Sequence, residues 1–364
     1  MEPVSLGGAG EASCIYSVVC VSQHAQCANT TTSLWYMSQD EYTATSSKKR
    51  KCSRLPEANS KRRKRSRKPD ITEFRRIAHT IAPQKNSCNG ITIAVSLDAL
   101  FNLENYNSQR HTMPEPGPAL PFVKALKLIV EKQNPNTECL VNIIIMVPEA
   151  EKVNNQLERI IQQYGLLMRY KDEELLNILK DNNTKLYLSI DSTEVTNAIN
   201  QNIAAAALFM PSSEMALSES ELRVAFDGDG VIFSDEAETV MKTKGLDAFL
   251  KHEKEKARFS LPEGPLKCFL EVLVELQKKN YPIRTFLVTA RDALIGGRRA
   301  LNTLTSWGLH INEMYFLEGS PKGSILQAIK PHVFFDDQMK HILNAKEAGV
   351  VAAHVPYGIS QKYN

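Results

Sequence analysis

Two carboxylates separated by one glycine follow a short apolar run, Val224 to Phe226. They are Asp227 and Asp229, and the apolar run predicts a buried strand that ends at the first of them. In open α/β sheets, ligands bind beyond the carboxyl ends of the strands. Paired acids in that place suit Mg²⁺, because this hard cation takes oxygen ligands and leaves room for phosphate oxygens.

The Asp-Gly-Asp sequence alone allows two other interpretations. It is common as a simple turn after a strand. It is also compatible with the start of a calcium loop, since Glu238 is the twelfth residue counted from Asp227. A calcium loop needs an oxygen ligand and a glycine where this chain has Val231 and Ile232, so we exclude it.

Further polar groups follow apolar strands or open helices later in the chain. They are a hydroxyl, a lysine and a pair of carboxylates, on Thr289, Lys322, Asp336 and Asp337. Taken singly, these residues have ordinary interpretations as a helix cap, a surface charge and a polar turn. Their order and their shared place at strand ends favour one site at one edge of a sheet.

This set of side chains is what phosphoryl transfer through an acyl-phosphate requires. Asp227 would attack phosphorus, which divides one difficult displacement into two steps. Asp229 would protonate the leaving oxygen and then accept a proton from the hydrolytic water. Thr289 and Lys322 would bind the phosphate oxygens. Mg²⁺ would reduce the repulsion between the anionic nucleophile and the anionic phosphate.

The ligands expected for Mg²⁺ are all oxygens. Asp227, Asp337 and the main-chain carbonyl of Asp229 would bind the ion. Asp336 would assist either directly or through a water molecule, and the sequence leaves these two modes open.

Four more residues lie close to these motifs. Arg291, two positions after Thr289, fits either a phosphate or ribose contact or a structural ion pair. We assign Phe233, Trp307 and His354 to packing, because such residues are more often part of a core than of a ligand site.

Four groups of residues resemble, in order, the four motifs of the haloacid-dehalogenase superfamily of Mg²⁺-dependent phosphohydrolases. They are Asp227 with Asp229, Thr289, Lys322, and Asp336 with Asp337. From Ile91 to Gly358 the chain looks like a narrower family, the cytosolic type I 5′-nucleotidases. The segments that carry this similarity are Val-Ala-Phe-Asp-Gly-Asp, Phe-Leu-Val-Thr-Ala-Arg, Phe-Phe-Asp-Asp-Gln and Ala-Ala-His-Val-Pro-Tyr-Gly. The long Ser-rich and basic amino-terminal tail resembles the B form of that family more than the A form.

The resemblance implies an activity that spacing alone does not. It implies Mg²⁺-dependent hydrolysis of nucleoside 5′-monophosphates, chiefly AMP, to the nucleoside, adenosine in that case, and phosphate. It also implies a phosphate contact at Gly228, and it allows a nucleotide effector such as ADP and assembly into homo-oligomers.

Two other functions stay open. The motifs select the reaction and not the leaving group, so the substrate could be another small phosphorylated metabolite. A non-catalytic nucleotide-binding module would retain some of the same residues, although it would have no need of the second carboxylate, Asp229.

Apolar runs and amphipathic segments alternate from Ile91 onward, which predicts an α/β fold with a parallel sheet and crossover helices. We expect a haloacid-dehalogenase-like (Rossmannoid) catalytic core at residues 222–358, with a small cap at about 234–264. The mixed charges of this insert are also typical of a solvated helix face, and a lid over the site is the functional interpretation.

Residues 91–206 resemble the core and suggest an internal duplication, in which this region is a degenerate copy. The aligned segments are Ile93–Leu100 with Val224–Val231, Ile144–Val147 with Phe286–Thr289, and Leu186–Ser189 with Val333–Asp336. Ser96 then replaces the nucleophile and Val147 replaces the hydroxyl, so the first copy would lack the chemistry. The alternative is that any two α/β segments share a loose pattern. The last part of the copy, residues 194–206, is predicted to be a helix.

The first 75 residues are rich in Ser and Thr and lack a sustained period, which predicts a disordered tail. Residues 48–68 carry twelve Lys or Arg and one Glu, a local charge of +11. Subtracting this from the net charge of +3 leaves −8 for the rest of the chain. The basic clusters resemble a bipartite nuclear import signal, and a solvated tail is the alternative.

Composition also bears on compartment and partners. The seven cysteines show no paired metal-ligand spacing, which favours a reducing compartment over a disulfide framework. The apolar stretch from Cys14 to Val21 is too short to cross a bilayer. We expect a cytoplasmic protein without a membrane anchor, and the basic tail leaves a nuclear pool open. No aromatic residue interleaves the basic clusters, so nucleic acid is not an expected partner.

Overall fold

A computed structural model describes residues 16–20, 33–37, 90–104, 106, 114–133, 141–147, 155–170 and 174–363. Its dominant feature is a sheet of twelve strands, most of which are parallel, with helices in the connections between them. This arrangement confirms the α/β fold predicted from the alternation of strand and helix patterns.

The strands and helices are numbered here in chain order. The strands are β1 (Tyr16–Cys20), β2 (Ser33–Met37), β3 (Ile91–Ser96), β4 (Phe101–Asn102), β5 (Glu115–Pro116), β6 (Val141–Val147), β7 (Leu167–Tyr170), β8 (Thr184–Ser189), β9 (Ala205–Phe209), β10 (Leu222–Phe226), β11 (Ile283–Thr289), β12 (Glu313–Phe316), β13 (Val333–Asp336) and β14 (Ala352–His354). The helices are α1 (Leu97–Leu100), α2 (Leu120–Gln133), α3 (Asn155–Gln163), α4 (Leu175–Asp181), α5 (Ser192–Asn200), α6 (Glu236–Lys244), α7 (Leu246–Glu255), α8 (Lys267–Lys278), α9 (Gly296–Ser306), α10 (Gly323–Ile329) and α11 (Met339–Glu347), followed by a 3₁₀ helix (Ile359–Lys362).

Ten of the twelve strands of the large sheet form two halves with the same internal order. The first half contains strands β3 and β6 to β9, and the second half contains β10 to β14. Numbered within its own half, each set runs 3-2-1-4-5 across the sheet. The halves meet at their fifth strands, where β14 pairs with β9 in antiparallel orientation.

The pairing register also agrees between the halves. In each half, the first strand pairs with the second strand on one side and with the fourth strand on the other. Residues that the sequence alignment matches pair with residues that it also matches. The pairs are Ala94 with Ile144 and Tyr187, and Ala225 with Phe286 and Phe334. A different strand order would have excluded the internal duplication, whereas a shared order and register support it.

One continuous hydrophobic core joins the two halves. Phe122 on α2 packs edge-on against Phe269 on α8, with ring centroids 6.3 Å apart. Below the end of β10, the rings of Phe226 and Phe335 stack at 5.3 Å. These buried aromatic side chains hold the strands that carry Asp227 and Asp336 in fixed relative positions.

Helices α6 and α7 form the insert predicted at 234–264, which we call the cap. Helix α6 has two glutamates in its first turn and two lysines in its last turn, a charge order that favours the helix dipole. Gly245 separates the two helices with φ 81°, a left-handed conformation in which a side chain would be strained.

The helix predicted over 194–206 is wrong in its second part. Helix α5 ends at Asn200, and Asn202 takes a left-handed φ of 58°. Alanines 204–207 favour a helix by intrinsic propensity, but residues 205–209 form β9 between β8 and β14. Tertiary pairing therefore overrides the local preference, and the predicted boundary at 206 falls inside a strand.

The expectation of a disordered tail over 1–75 is not met at β1 and β2. Strand β1 pairs in parallel with β12 at the edge of the sheet, and β2 pairs in antiparallel orientation with β1. Both segments contain β-branched or aromatic residues, which favour strands. The basic clusters of residues 48–68 lie outside the described residues. None of the helices in the described part of the chain has the length and apolar character needed to span a bilayer.

Candidate active site

The turn after β10 carries the first pair of acids. The Asp227 amide donates to the Phe335 carbonyl at 2.8 Å, which ties the turn to β13. The Gly228 amide donates to Asp227 Oδ1 at 2.6 Å and fixes the carboxylate. Amides of residues 231–233 then converge on the Gly228 carbonyl at 2.9 to 3.3 Å and close a tight loop.

Gly230 is required by the conformation of this loop. Its φ is 75°, and a Cβ atom built on it would lie 2.5 Å from Asp337 Cγ. Any larger residue would therefore strain the backbone and collide with a buried carboxylate. The absence of a side chain lets the first acidic motif and the last one approach closely.

Lys322 joins two of the carboxylates. Its Nζ lies 2.9 Å from Asp227 Oδ2 and 2.7 Å from Asp336 Oδ2. The lysine and Asp336 are fully buried, and Asp227 is 3% exposed. The interpretation of Lys322 as a surface charge is therefore wrong, because its ammonium group lies between two strand ends.

The pKa values of these three groups reflect burial and mutual attraction. Burial raises the pKa of Asp227 to about 8, against the opposing effect of Lys322. Burial alone would also raise the pKa of Asp336, but the charges of Lys322 and His341 hold it below its usual range. Burial opposes the charge of Lys322, yet Asp227 and Asp336 raise its pKa above normal.

His341 is a further neighbour of Asp336. Its Nδ1 lies 3.0 Å from Asp336 Oδ2, and the Gln338 amide donates to Asp336 Oδ1 at 2.9 Å. Asp227, Asp336 and His341 each place one potential ligand atom within 4.8 Å of the others. These three residues form a candidate metal site at the carboxyl edge of the second half.

Asp337 lies in an adjoining acidic group. The Ser360 hydroxyl is within hydrogen-bond distance of Asp337 and lies 2.8 Å from Glu238 Oε2. The Gln338 side-chain amide donates to Glu238 Oε1 at 2.8 Å. Burial and neighbouring carboxylates raise the pKa of Asp337 well above its usual range, and burial raises that of Glu238.

The donor set fits a divalent cation with oxygen ligands. Buried carboxylates outnumber the buried lysine, because Asp227, Asp336 and Asp337 share the region with Lys322 alone among buried ammonium groups of the described residues. Raised pKa values at Asp227 and Asp337 mean that further positive charge would be favourable there. Oxygen-rich sites of this kind suit Mg²⁺, Ca²⁺ or Mn²⁺.

Asp229 faces a different partner. Its two carboxylate oxygens each accept a hydrogen bond of 2.7 Å from the guanidinium of Arg291. Arg291 is 3% exposed, and its pKa is raised because Asp229 and Glu253 outweigh the effect of burial. Of the two interpretations of Arg291, the structure has the structural ion pair.

Thr289 and Gly228 come together from neighbouring strands. A Cβ atom on Gly228 would lie 3.4 Å from Thr289 Oγ1, so this hydroxyl lies against the acidic turn. Thr289 Oγ1 also accepts from the Arg291 amide at 3.3 Å. The residues assigned to packing are placed accordingly, since Phe233 is fully buried, 5.8 Å from the ring of Trp307, and His354 is buried against the Asp337 carbonyl.

Sequence reasoning missed several groups at this edge. Glu238 entered only through the rejected calcium loop, and the buried Glu253 lies in a charged run typical of a solvated helix face. His341 and Ser360 carried no signal, because His341 lies on helix α11 and Ser360 in the last 3₁₀ helix, and neither ends an apolar strand.

Comparisons with known proteins identify the family of the chain. The family model described as 5′-nucleotidase matches residues 83–362, which include both halves of the sheet and the cap. The Homo sapiens protein named cytosolic 5′-nucleotidase 1B is 41% identical over 307 residues. That match covers 76% of this chain and 50% of the human protein, so the chain spans about half the length of this relative. By the extent of the family match and of the identity, the chain belongs to the 5′-nucleotidase family.

Proposed function

We propose that this protein hydrolyses nucleoside 5′-monophosphates, chiefly AMP, to the nucleoside and phosphate. The observation that carries the proposal is the contact of Lys322 with Asp227 and Asp336 at one sheet edge. Such a cluster offers an anionic nucleophile beside a fixed positive charge, as transfer of a phosphoryl group needs. Membership of the 5′-nucleotidase family supports the choice of substrate class.

Asp227 is the proposed nucleophile. One of its carboxylate oxygens forms a bond to phosphorus while the bond from phosphorus to the nucleoside 5′-oxygen breaks. Water then attacks the aspartyl-phosphate, the bond between phosphorus and Asp227 breaks, and inorganic phosphate leaves. The hydrogen bond from the Gly228 amide fixes one oxygen of Asp227, which favours attack by the other.

Asp229 is the proposed proton carrier. It would give a proton to the departing 5′-oxygen and take one from the attacking water in the second step. Thr289 would donate its hydroxyl hydrogen to one phosphate oxygen and Lys322 would bind another, while a phosphate contact at Gly228 is a proposal from the family resemblance. Lys322 supplies a compact charge that needs no reorientation, because it is already held between Asp227 and Asp336.

Mg²⁺ is the proposed cofactor. Asp227, Asp336, Asp337 and the main-chain oxygen of Asp229 would hold it, and its charge would offset that of the attacking carboxylate and the phosphate. The buried excess of carboxylates supports this assignment. Gly230 allows Asp337 to lie against the turn that carries Asp227 and Asp229.

Residues 222–358 are the proposed catalytic region, with the cap at 234–264 acting as a lid that limits water. Residues 91–209 are the proposed degenerate copy, with the predicted end at 206 moved to the end of β9. The name of the human relative supports a cytosolic location. A nuclear share would depend on residues 48–68, and deleting them from a fluorescent fusion tests it. An effector such as ADP and a homo-oligomeric state are proposals from family resemblance.

Phosphate release from AMP tests the function. We expect release with Mg²⁺, none with EDTA, and none from D227N under either condition. A panel of nucleoside monophosphates and other small phosphate esters then defines the substrate class. Absence of metal-dependent release from every nucleoside monophosphate would contradict the proposal, and faster release from a different ester class would replace its substrate.

A further inference from the structure

We infer that Arg291 positions the carboxylate of Asp229 and that the cap in turn holds Arg291 in place. This inference rests on the proposed function, because Asp229 matters as a proton carrier only if phosphoryl transfer occurs. Arg291 would not touch the substrate. It would act by holding the plane of a carboxylate that does.

The two hydrogen bonds between Arg291 and Asp229 define an orientation. Arg291 Nε reaches Asp229 Oδ2 and its second nitrogen, Nη2, reaches Oδ1, both at 2.7 Å. A fork of two parallel bonds fixes the rotation of the carboxylate as well as its position. A carboxylate has about four lone-pair sites, so this fork leaves an accepting site on each oxygen for a reacting proton.

Arg291 is itself held from the opposite side. Its remaining terminal nitrogen, Nη1, donates to the Gly296 carbonyl at 2.9 Å and to the carboxylate of Glu253. Glu253 lies on α7 of the cap and is fully buried. All three guanidinium nitrogens therefore have fixed partners. One of these partners, Glu253, belongs to the cap.

A second buried arginine, Arg299, contacts the same glutamate and provides a matched control. Arg299 Nη1 lies 2.7 Å from Glu253 Oε1, its Nε donates to the Phe259 carbonyl at 3.0 Å, and its Nη2 reaches Glu236 Oε2 at 3.3 Å. Arg299 thus anchors the cap through the same glutamate. Arg291 differs in that it bonds Asp229 as well as Glu253, so its guanidinium connects the cap to the proton carrier.

The matched variants are R291K and R299K. Each keeps a positive charge beside Glu253 but loses the fixed planar set of donors that a guanidinium has. We expect R291K to lower kcat for AMP about 100-fold with KM changed less than about threefold, because a slightly misplaced catalytic group is costly while ground-state binding is kept. R299K should lower Tm as much as R291K and retain kcat within about threefold of wild type.

A second substrate separates positioning from general damage. The p-nitrophenolate of p-nitrophenyl phosphate leaves without needing a proton, so formation of the aspartyl-phosphate should survive in R291K. Hydrolysis of the aspartyl-phosphate still needs Asp229. We expect R291K to show a burst of about one p-nitrophenol per active site followed by slow turnover, while wild type and R299K show no slow phase.

Equal loss of kcat in R291K and R299K, or a slowed burst in R291K, would overturn the inference and leave the proposed function intact. Wild type that releases phosphate from neither substrate would overturn the proposed function and this inference with it. If R291K does not fold, the double variant R291Q/E253Q removes both buried charges together, and the same burst followed by slow turnover is expected of it.

Discussion

The carboxyl edges of the two halves of the sheet present different side chains at the same three strand positions. The first half carries no charge there, whereas the second carries two carboxylates. The residues are Ser96, Val147 and Ser189 in the first half, and Asp227, Thr289 and Asp336 in the second. Strand order and register are the same in both halves, so the backbone alone does not determine which edge is reactive.

The segments that follow the first strand of each half explain part of the difference. Ser96 accepts a hydrogen bond from the Ala99 amide at 3.2 Å and caps the short helix α1. That helix leaves Asp98, the counterpart of Asp229, exposed to solvent. In the second half two glycines replace helix-forming residues, and the loop keeps both acids at the edge. The aligned segment of the first half therefore forms a capped helix where the second half has an acidic loop.

The largest expected effect is on activity at the two aligned aspartates. D229N should lower kcat for AMP by about 10²- to 10⁴-fold, because it removes the proton carrier. D98N, at the exposed counterpart in the first half, should leave kcat unchanged. Mg²⁺ affinity measured by calorimetry should also be unchanged in D229N, since only the main-chain oxygen of Asp229 would bind the ion. A large loss of affinity would contradict that assignment.

The next effect is on stability. In each half a helix precedes the fourth strand, and the residue just before that helix differs between the halves. K322M should lower the free energy of unfolding by about 3–5 kcal/mol, because it leaves Asp227 and Asp336 buried without their partner. Glu174 has the same place before α4 and is exposed, so E174M should change the free energy by less than about 0.5 kcal/mol. Urea unfolding measures the free energy of unfolding of both variants. Equal decreases in K322M and E174M would contradict the proposed difference between the two halves.

A smaller effect is expected at the fourth strand of the first half. The Tyr187 hydroxyl donates to Glu194 at 2.5 Å, and burial together with Glu194 raises the pKa of Tyr187. The aligned residue of the second half is Phe334. Y187F should cost about 1.5 kcal/mol in urea unfolding, the value typical of a hydrogen bond to a charged group, with kcat unchanged. A changed kcat would mean that the first half takes part in the chemistry.

The smallest effect is a pH dependence that belongs to the second half. His332 accepts from the Arg223 amide at 3.1 Å, and burial lowers its pKa. The unfolded chain therefore binds a proton more tightly than the folded one. Stability is full above about pH 6.5 and falls below it, by at most about 1.4 kcal/mol per pH unit for one group.

H332Q should remove this part of the pH dependence. The free energy of unfolding, measured in urea at pH 7.5 and at pH 5.5, should change less between the two pH values in the variant than in wild type, by up to about 1 kcal/mol. The described residues between 91 and 209 include no histidine to compare with His332. The same pH dependence in both proteins would assign the effect elsewhere.

Much of the fold could be predicted from sequence because strands and helices alternate with clear periods. The alignment of Ile93–Leu100 with Val224–Val231 predicted a register that the strand pairs reproduce. Strand β9 could not be predicted, because its alanines favour a helix until β8 and β14 flank them. Strands β1 and β2 were missed since they lie in a polar, aperiodic context.

The site was predictable where its residues end strands and not where they lie on helices. Asp227, Thr289 and Asp336 are marked by the apolar runs before them. Glu253 looks like one charge among many in its helix, and only the packing of the cap buries it against Arg291. Long-range ion pairs of this kind leave no periodic signal in the sequence.

We propose that only the second half of the sheet forms a phosphoenzyme, at Asp227. Incubation with AMP and Mg²⁺, rapid quenching, reduction of the acyl-phosphate with borohydride and peptide mass mapping test it directly. We expect one reduced side chain, that of Asp227, and no reduction when Mg²⁺ is left out. Phosphate release with no modification at Asp227, or with a modification at Asp98 or another carboxylate, would contradict it.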